Sequence, residues 1–257
     1  MKFKKINKLD SKHEKTELII VTGLGRSRTS LTMDYLYHLE YKPYYTKSMS
    51  KPDIYNINGY FEHEKLTAPR ILKNIPEIGK FSIETYILNY KSIFKSLMKI
   101  SEYQHFNEFI KINKKVCLKS FCFNIMPVFS FFVDSIKIIF LYRKNFIKWK
   151  ESQIKKIKAH DNLNNNNPIF NKWYSDLTSD NLSNIWKIRK NTFNYMEKVN
   201  ILTQIICEQN NIEYDFHILS YEDFDDNIDL INKKILDITG KNKDIDSIKD
   251  LYKKIIS

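Results

Sequence analysis

Short apolar runs alternate along the chain with longer stretches in which apolar residues recur every three or four positions. Glu17 to Thr22 (ELIIVT), bounded by Gly23, reads as a parallel strand buried on both faces, because such a strand shows a continuous apolar run rather than alternation. A helix is expected from Thr29 to about Leu39, with Leu31, Leu36 and Leu39 on one side. Residues 40–60 are polar and rich in turn formers, and 62–113 carry a helical pattern interrupted at Pro69 and Pro76. Val116 to Ser120 is a second strand, with a helix from about Ile125 to Val133 after it. Ile136 to Tyr142 (IKIIFLY) is the clearest strand of all, and a helix from Phe146 to about Lys158 follows. The run DNLNNNNP at 161–168 reads as a loop. Beyond it come a long helix over 180–208, a strand from Ile212 to Leu219, and a helix from Asp225 to Ile238 that ends before Gly240.

Strands that alternate with helices predict a three-layer α/β/α domain around a central parallel sheet. The domain is expected to span 17–257, after a flexible basic leader at 1–16. In such sheets ligands bind beyond the carboxyl ends of the strands, which directs attention to the residues after 22, 120, 142 and 219.

Composition narrows this picture. A hydrophobic share of 42% in 257 residues supports a sizeable core and excludes general disorder. With 5 Gly and 6 Pro, a turn-rich β-sandwich is disfavoured. The net charge of +12 admits nucleic acid as a partner, yet the lysines are scattered and no RNA-binding signature occurs. A small polyanionic ligand is expected instead. Cys117, Cys122 and Cys207 are too few and wrongly spaced for a zinc site or disulfide framework; the first two read as small core residues. No apolar run approaches the ~18 residues of a membrane span, so a cytoplasmic location is expected.

The segment after the first strand carries the most chemistry. Gly23-Leu24-Gly25-Arg26-Ser27-Arg28-Thr29-Ser30 joins a strand to a helix N-terminus, where unpaired amides and the positive helix end suit an anion. Arg26 adds a charged fork, and Ser27, Thr29 and Ser30 add hydroxyls. The nucleoside-triphosphate loop G-x-x-x-x-G-K-[ST] would require Gly at Arg28 and Lys at Thr29, so ATP or GTP hydrolysis is disfavoured.

This segment resembles the 5′-phosphosulfate loop of sulfotransferases, G-x-P-R-S-G-T-S, at Gly23, Arg26, Ser27, Thr29 and Ser30, with Gly25 replacing Pro and Arg28 replacing Gly. Arg143, directly after IKIIFLY, is similar to the arginine with which that family binds the 3′-phosphate of its donor. The family's partner serine lies about eight residues on; here that position is Glu151, and Ser152 follows. Asn58-Gly59-Tyr60-Phe61-Glu62 resembles the family's N-x-x-G-Y-[FW]-E, and Ser220-Tyr221-Glu222-Asp223-Phe224 its R-Y-E-D-L. Val116-Cys117-Leu118-Lys119-Ser120 resembles a strand ending in K-[DS].

The resemblance implies a fold laid out like the nucleotide kinases and a donor, 3′-phosphoadenosine 5′-phosphosulfate (PAPS), held by Gly25, Arg26, Ser27, Arg28, Thr29, Ser30, Arg143 and Ser152. It implies metal-free sulfuryl transfer to a hydroxyl or amine of a small-molecule or saccharide acceptor. Glu62 is the expected general base, with His63 and Glu64 as rivals, and Arg26 is expected to act on the sulfate. Arg28 is expected either to contact the sulfate or to narrow the pocket. Two other readings remain: a nucleotide or nucleoside kinase, and a non-catalytic binding protein that kept the fold. Trp149, Trp173 and Trp186, with Tyr174, read as core or cover rather than as an acceptor pocket.

Overall fold

The computed structural model describes residues 15–23, 28–47, 61–62, 92, 94–95, 98–99, 101–120, 126–160 and 182–241. In these, five strands form one sheet: β1 (Glu17–Gly23), β2 (Lys42–Pro43), β3 (Lys115–Lys119), β4 (Ser135–Tyr142) and β5 (Glu213–Ser220). The order across the sheet is β2-β3-β1-β4-β5, and every pairing is parallel. Among the described residues the α-helices with defined bounds are α1 (Thr29–His38), α2 (Ser101–Ile112), α3 (Met126–Phe129), α4 (Phe146–His160), α5 (Leu182–Asn210), α6 (Tyr221–Asp226) and α7 (Ile228–Thr239), and a 3-10 turn over Ser130–Phe132 extends α3. A central parallel sheet flanked by helices is the architecture the alternating pattern implied.

Because side chains alternate across a strand, β1 feeds two cores at once. Leu18 and Ile20 join Tyr103, Phe106 and Ile110 of α2 and Val199, Leu202 and Ile206 of α5 on one face. Ile19 and Val21 join Leu31 and Leu36 of α1 and Ile231 and Ile235 of α7 on the other. Burying each such side chain stabilises the fold by about 1.5–3 kcal/mol. Leu31, Leu36 and Leu39 do share the inner side of α1, while His38 stays outside beside Asp34. Cys117 is a core residue, and burial pushes its thiol well above the ordinary range.

The structure corrects two boundaries. Lys42–Pro43, inside a segment that reads as loop, pairs with Val116 and Cys117 as the edge strand β2. Two residues are too few to show a period of their own. The last helix is two helices, since Ser220 and Asn227 each cap one: their side chains accept from the amides of Asp223 at 3.2 Å and Leu230 at 3.1 Å. The segment Tyr221-Glu222-Asp223-Phe224 is therefore itself helical. Among the described residues no helix is long and apolar enough to cross a membrane.

Candidate functional site

The carboxyl end of the sheet gathers side chains from three strand ends and one helix start. At the centre, Gly23 closes β1 with φ 143, and Arg28 precedes α1 in the left-handed conformation, φ 65. That region favours glycine, which explains physically why a Gly stands at this position in the pattern the loop resembles. Arg28 nevertheless anchors the helix, since its carbonyl accepts from the Thr32 amide at 2.9 Å and the Thr32 hydroxyl at 3.1 Å. The first-turn amides of α1, including Thr29 and Ser30, have no acceptor within the helix, and no acidic residue stands among them.

One side of this helix start carries a partly buried ion pair. Lys119, the last residue of β3 and 3% exposed, donates to Glu62 Oε1 at 2.6 Å and to Ser30 Oγ at 2.9 Å. Glu62 is held there by its backbone, which bridges Lys119 alongside β3 and accepts from the Thr46 amide at 3.0 Å. Phe61, packed in the α1-side core, fixes the preceding residue. The expected base thus lies beside the expected phosphate-binding helix, joined to it through a lysine that sequence reading gave no role.

The other side is built on Arg143, which is 8% exposed and follows β4 directly. Its Nη1 donates to the Lys148 carbonyl at 2.9 Å, and its buried Nε has no hydrogen-bond partner among the described residues. The guanidinium lies 3.7 Å from the centre of the Tyr221 ring, and that of Arg28 lies 4.6 Å from the same centre. Arg28 therefore turns toward the β5 side of the site, shared with Arg143. In a regular helix the Lys148 carbonyl also receives the Ser152 amide, which puts Ser152 one turn beyond the Arg143 anchor. Ser152 is half-buried while Glu151 is exposed, so α4 turns the serine inward and the carboxylate out.

A latch holds the Arg143 turn. Glu222 accepts from the amides of Lys144 at 2.8 Å and Asn145 at 3.0 Å, and Lys144 Nζ donates to Asp223 Oδ1 at 2.6 Å. Asn145 Oδ1 accepts from the Lys148 amide at 3.0 Å and caps α4. Burial raises the Asp223 carboxyl, but Lys144 and Ser220 outweigh it and hold the group below its usual range. This contribution is therefore complete above the ordinary carboxylate pKa and fades as pH falls through the lowered value. Glu222→Gln keeps one acceptor and loses the other; these bonds are exposed, so a loss of about 1 kcal/mol is expected from the urea midpoint. An unchanged midpoint would mean the latch contributes nothing.

Of the residues implied by the resemblance, the structure brings together Arg28, Thr29, Ser30, Glu62 and Arg143, with Ser152 a turn away. Gly25, Arg26, Ser27, His63 and Glu64 lie outside the described residues. Trp149 is a core residue, 2% exposed and stacked on Phe146 at 4.5 Å; Trp173 and Tyr174 lie outside the described residues. Lys119 and Tyr221 stand in segments that resemble the family pattern, but sequence reading assigned neither a role. Their signal was present, since each sits at the carboxyl end of a strand. No family model matches this chain, and no curated protein matches it in sequence.

Proposed function

We propose that this chain is a sulfotransferase that moves the sulfuryl group of PAPS to a hydroxyl or amine of a small-molecule or saccharide acceptor. The observation that carries this reading is the Ser30–Lys119–Glu62 cluster at the start of α1. The loop lacks the lysine of nucleoside-triphosphate sites, and a buried lysine arrives from β3 instead, beside a carboxylate suited to proton transfer.

Bound at this end of the sheet, the donor supplies the sulfuryl group. The residues supply position and charge. The first-turn amides of α1 with Ser30 face the transferring group, and Lys119 stabilises the charge that grows there. Glu62 takes the proton of the acceptor as it attacks. Arg143 holds the remote phosphate, and its buried Nε, without a partner among the described residues, is a donor suited to that anion. Such in-line transfer depends mainly on positioning and preorganised charge, as phosphoryl transfer does.

Calorimetric titration with 3′-phosphoadenosine 5′-phosphate, with ATP alongside, tests the reading. The expected result is binding of the first and not the second, weakened roughly tenfold or more in Arg143→Ala. Preference for ATP would point to a kinase. Failure of the folded protein to bind either would leave a non-catalytic relative of the fold.

A further inference from the structure

A chain of hydrogen bonds runs from α6 to the guanidinium of Arg143. Glu222, the second residue of α6, accepts from two successive amides, Lys144 at 2.8 Å and Asn145 at 3.0 Å. Asn145 Oδ1 accepts from the Lys148 amide at 3.0 Å, and the Lys148 carbonyl accepts from Arg143 Nη1 at 2.9 Å. The arginine is thus held at both ends. Its backbone lies between Tyr142, which pairs with Ser220 of β5, and the Lys144 amide on the Glu222 carboxylate. Its tip rests on a carbonyl further along the same turn. Tyr221, beside Glu222 in sequence, covers one face of the guanidinium, with the ring centre 3.7 Å from Cζ. Two neighbouring amides that meet one side chain call for a carboxylate, whose two oxygens both accept, and the start of α4 favours a negative charge there. A long side chain gains most from such anchoring when it must meet a ligand in one orientation. The Nε of Arg143 is a buried donor that these contacts leave without a partner among the described residues.

We propose that Glu222 is a positioning residue for recognition of the donor's 3′-phosphate. It acts through Arg143 rather than on the donor. Its carboxylate fixes the turn over 143–148, and through Asn145 and the Lys148 carbonyl it fixes the orientation of the guanidinium. This rests on the donor site proposed above, and it assigns the first acidic residue of α6 to nucleotide selectivity as well as to stability. A slack turn leaves Arg143 its charge but not its orientation. Affinity specific to the second phosphate then falls, while the rest of the nucleotide binds as before.

The test measures the affinities of the wild type, Glu222→Ala, Glu222→Gln, Arg143→Ala and the Glu222→Ala, Arg143→Ala double variant for 3′-phosphoadenosine 5′-phosphate and for adenosine 5′-phosphate. Thermal melts check that each variant folds. The expected result is a preference for the 3′-phosphorylated nucleotide that falls about three- to tenfold in Glu222→Ala, and by less in Glu222→Gln, which keeps one acceptor. Affinity for adenosine 5′-phosphate should change less than about twofold. In the Arg143→Ala background, loss of the carboxylate should move the preference less than about twofold, because the two residues act as a unit. An equal loss for both nucleotides, or a loss that adds in full to that of Arg143→Ala, would show a merely structural role and overturn the proposal. So would an unchanged preference, while the donor reading survived. If Glu222→Ala does not fold, Glu222→Gln decides by the same criteria. Should the wild type bind neither nucleotide, the donor reading falls and the positioning role with it.

Discussion

Gly23→Ala is expected to lower stability by about 3 kcal/mol or more, seen as a fall of roughly 10 °C in the melting temperature. The cause is backbone against backbone. A Cβ on Gly23 would lie 1.9 Å from the Leu141 carbonyl oxygen, with the Leu141 carbonyl carbon at 2.8 Å and amide nitrogen at 2.9 Å. None of these atoms belongs to a flexible side chain, and β4 is held by β1 and β5 on either side. A φ of 143 adds strain for any residue with a Cβ. Gly240→Ala is the control, since it shares a positive φ of 63 but a Cβ there meets nothing within 4 Å. Only the left-handed cost of about 1–2 kcal/mol applies to it. Equal losses for the two variants would show that close approach to β4 is not what requires Gly23.

Glu62→Gln is expected to cut turnover about 10²- to 10⁴-fold while leaving the fold intact. The amide oxygen still accepts from Lys119, whose side chain is 3% exposed against 22% for Glu62, so the lysine is not stranded without an acceptor. What the amide lacks is the capacity to take a proton. Lys119→Met removes the cation beside Ser30 and should also lower turnover, and the double variant should be little worse than the more damaging single one, because groups acting as a unit are non-additive. Initial rates with PAPS and an accepted substrate, set beside melting curves, decide the matter. Wild-type turnover in Glu62→Gln would move the base to His63 or Glu64.

The sheet was legible because β1 and β4 are largely buried on both faces, which leaves the run LIIV and the run IKIIFLY, broken only by Lys137, in the sequence. The two-residue β2 was not, because its state depends on the partner strand β3. Arg143 was legible as a charged residue at the end of a strand, and Thr29 and Ser30 as hydroxyls at a helix start. Lys119 was harder to read, because its role depends on Ser30 and Glu62, both distant in sequence. Arg28 illustrates the same limit: the sequence marks it as a departure from glycine, but only the fold shows that its side chain reaches Tyr221.

The strand order bears on how the chain must be made. β1 lies between β3 and β4, and both are synthesised long after it. At about 5–20 residues per second, the segment LIIV waits on the order of ten seconds after leaving the ribosome before its first neighbour exists. Through that interval an apolar edge with unpaired amides stands open to other chains. Yield from a slowly translating host is therefore expected to depend on holdase chaperones more than the melting temperature of the finished protein suggests.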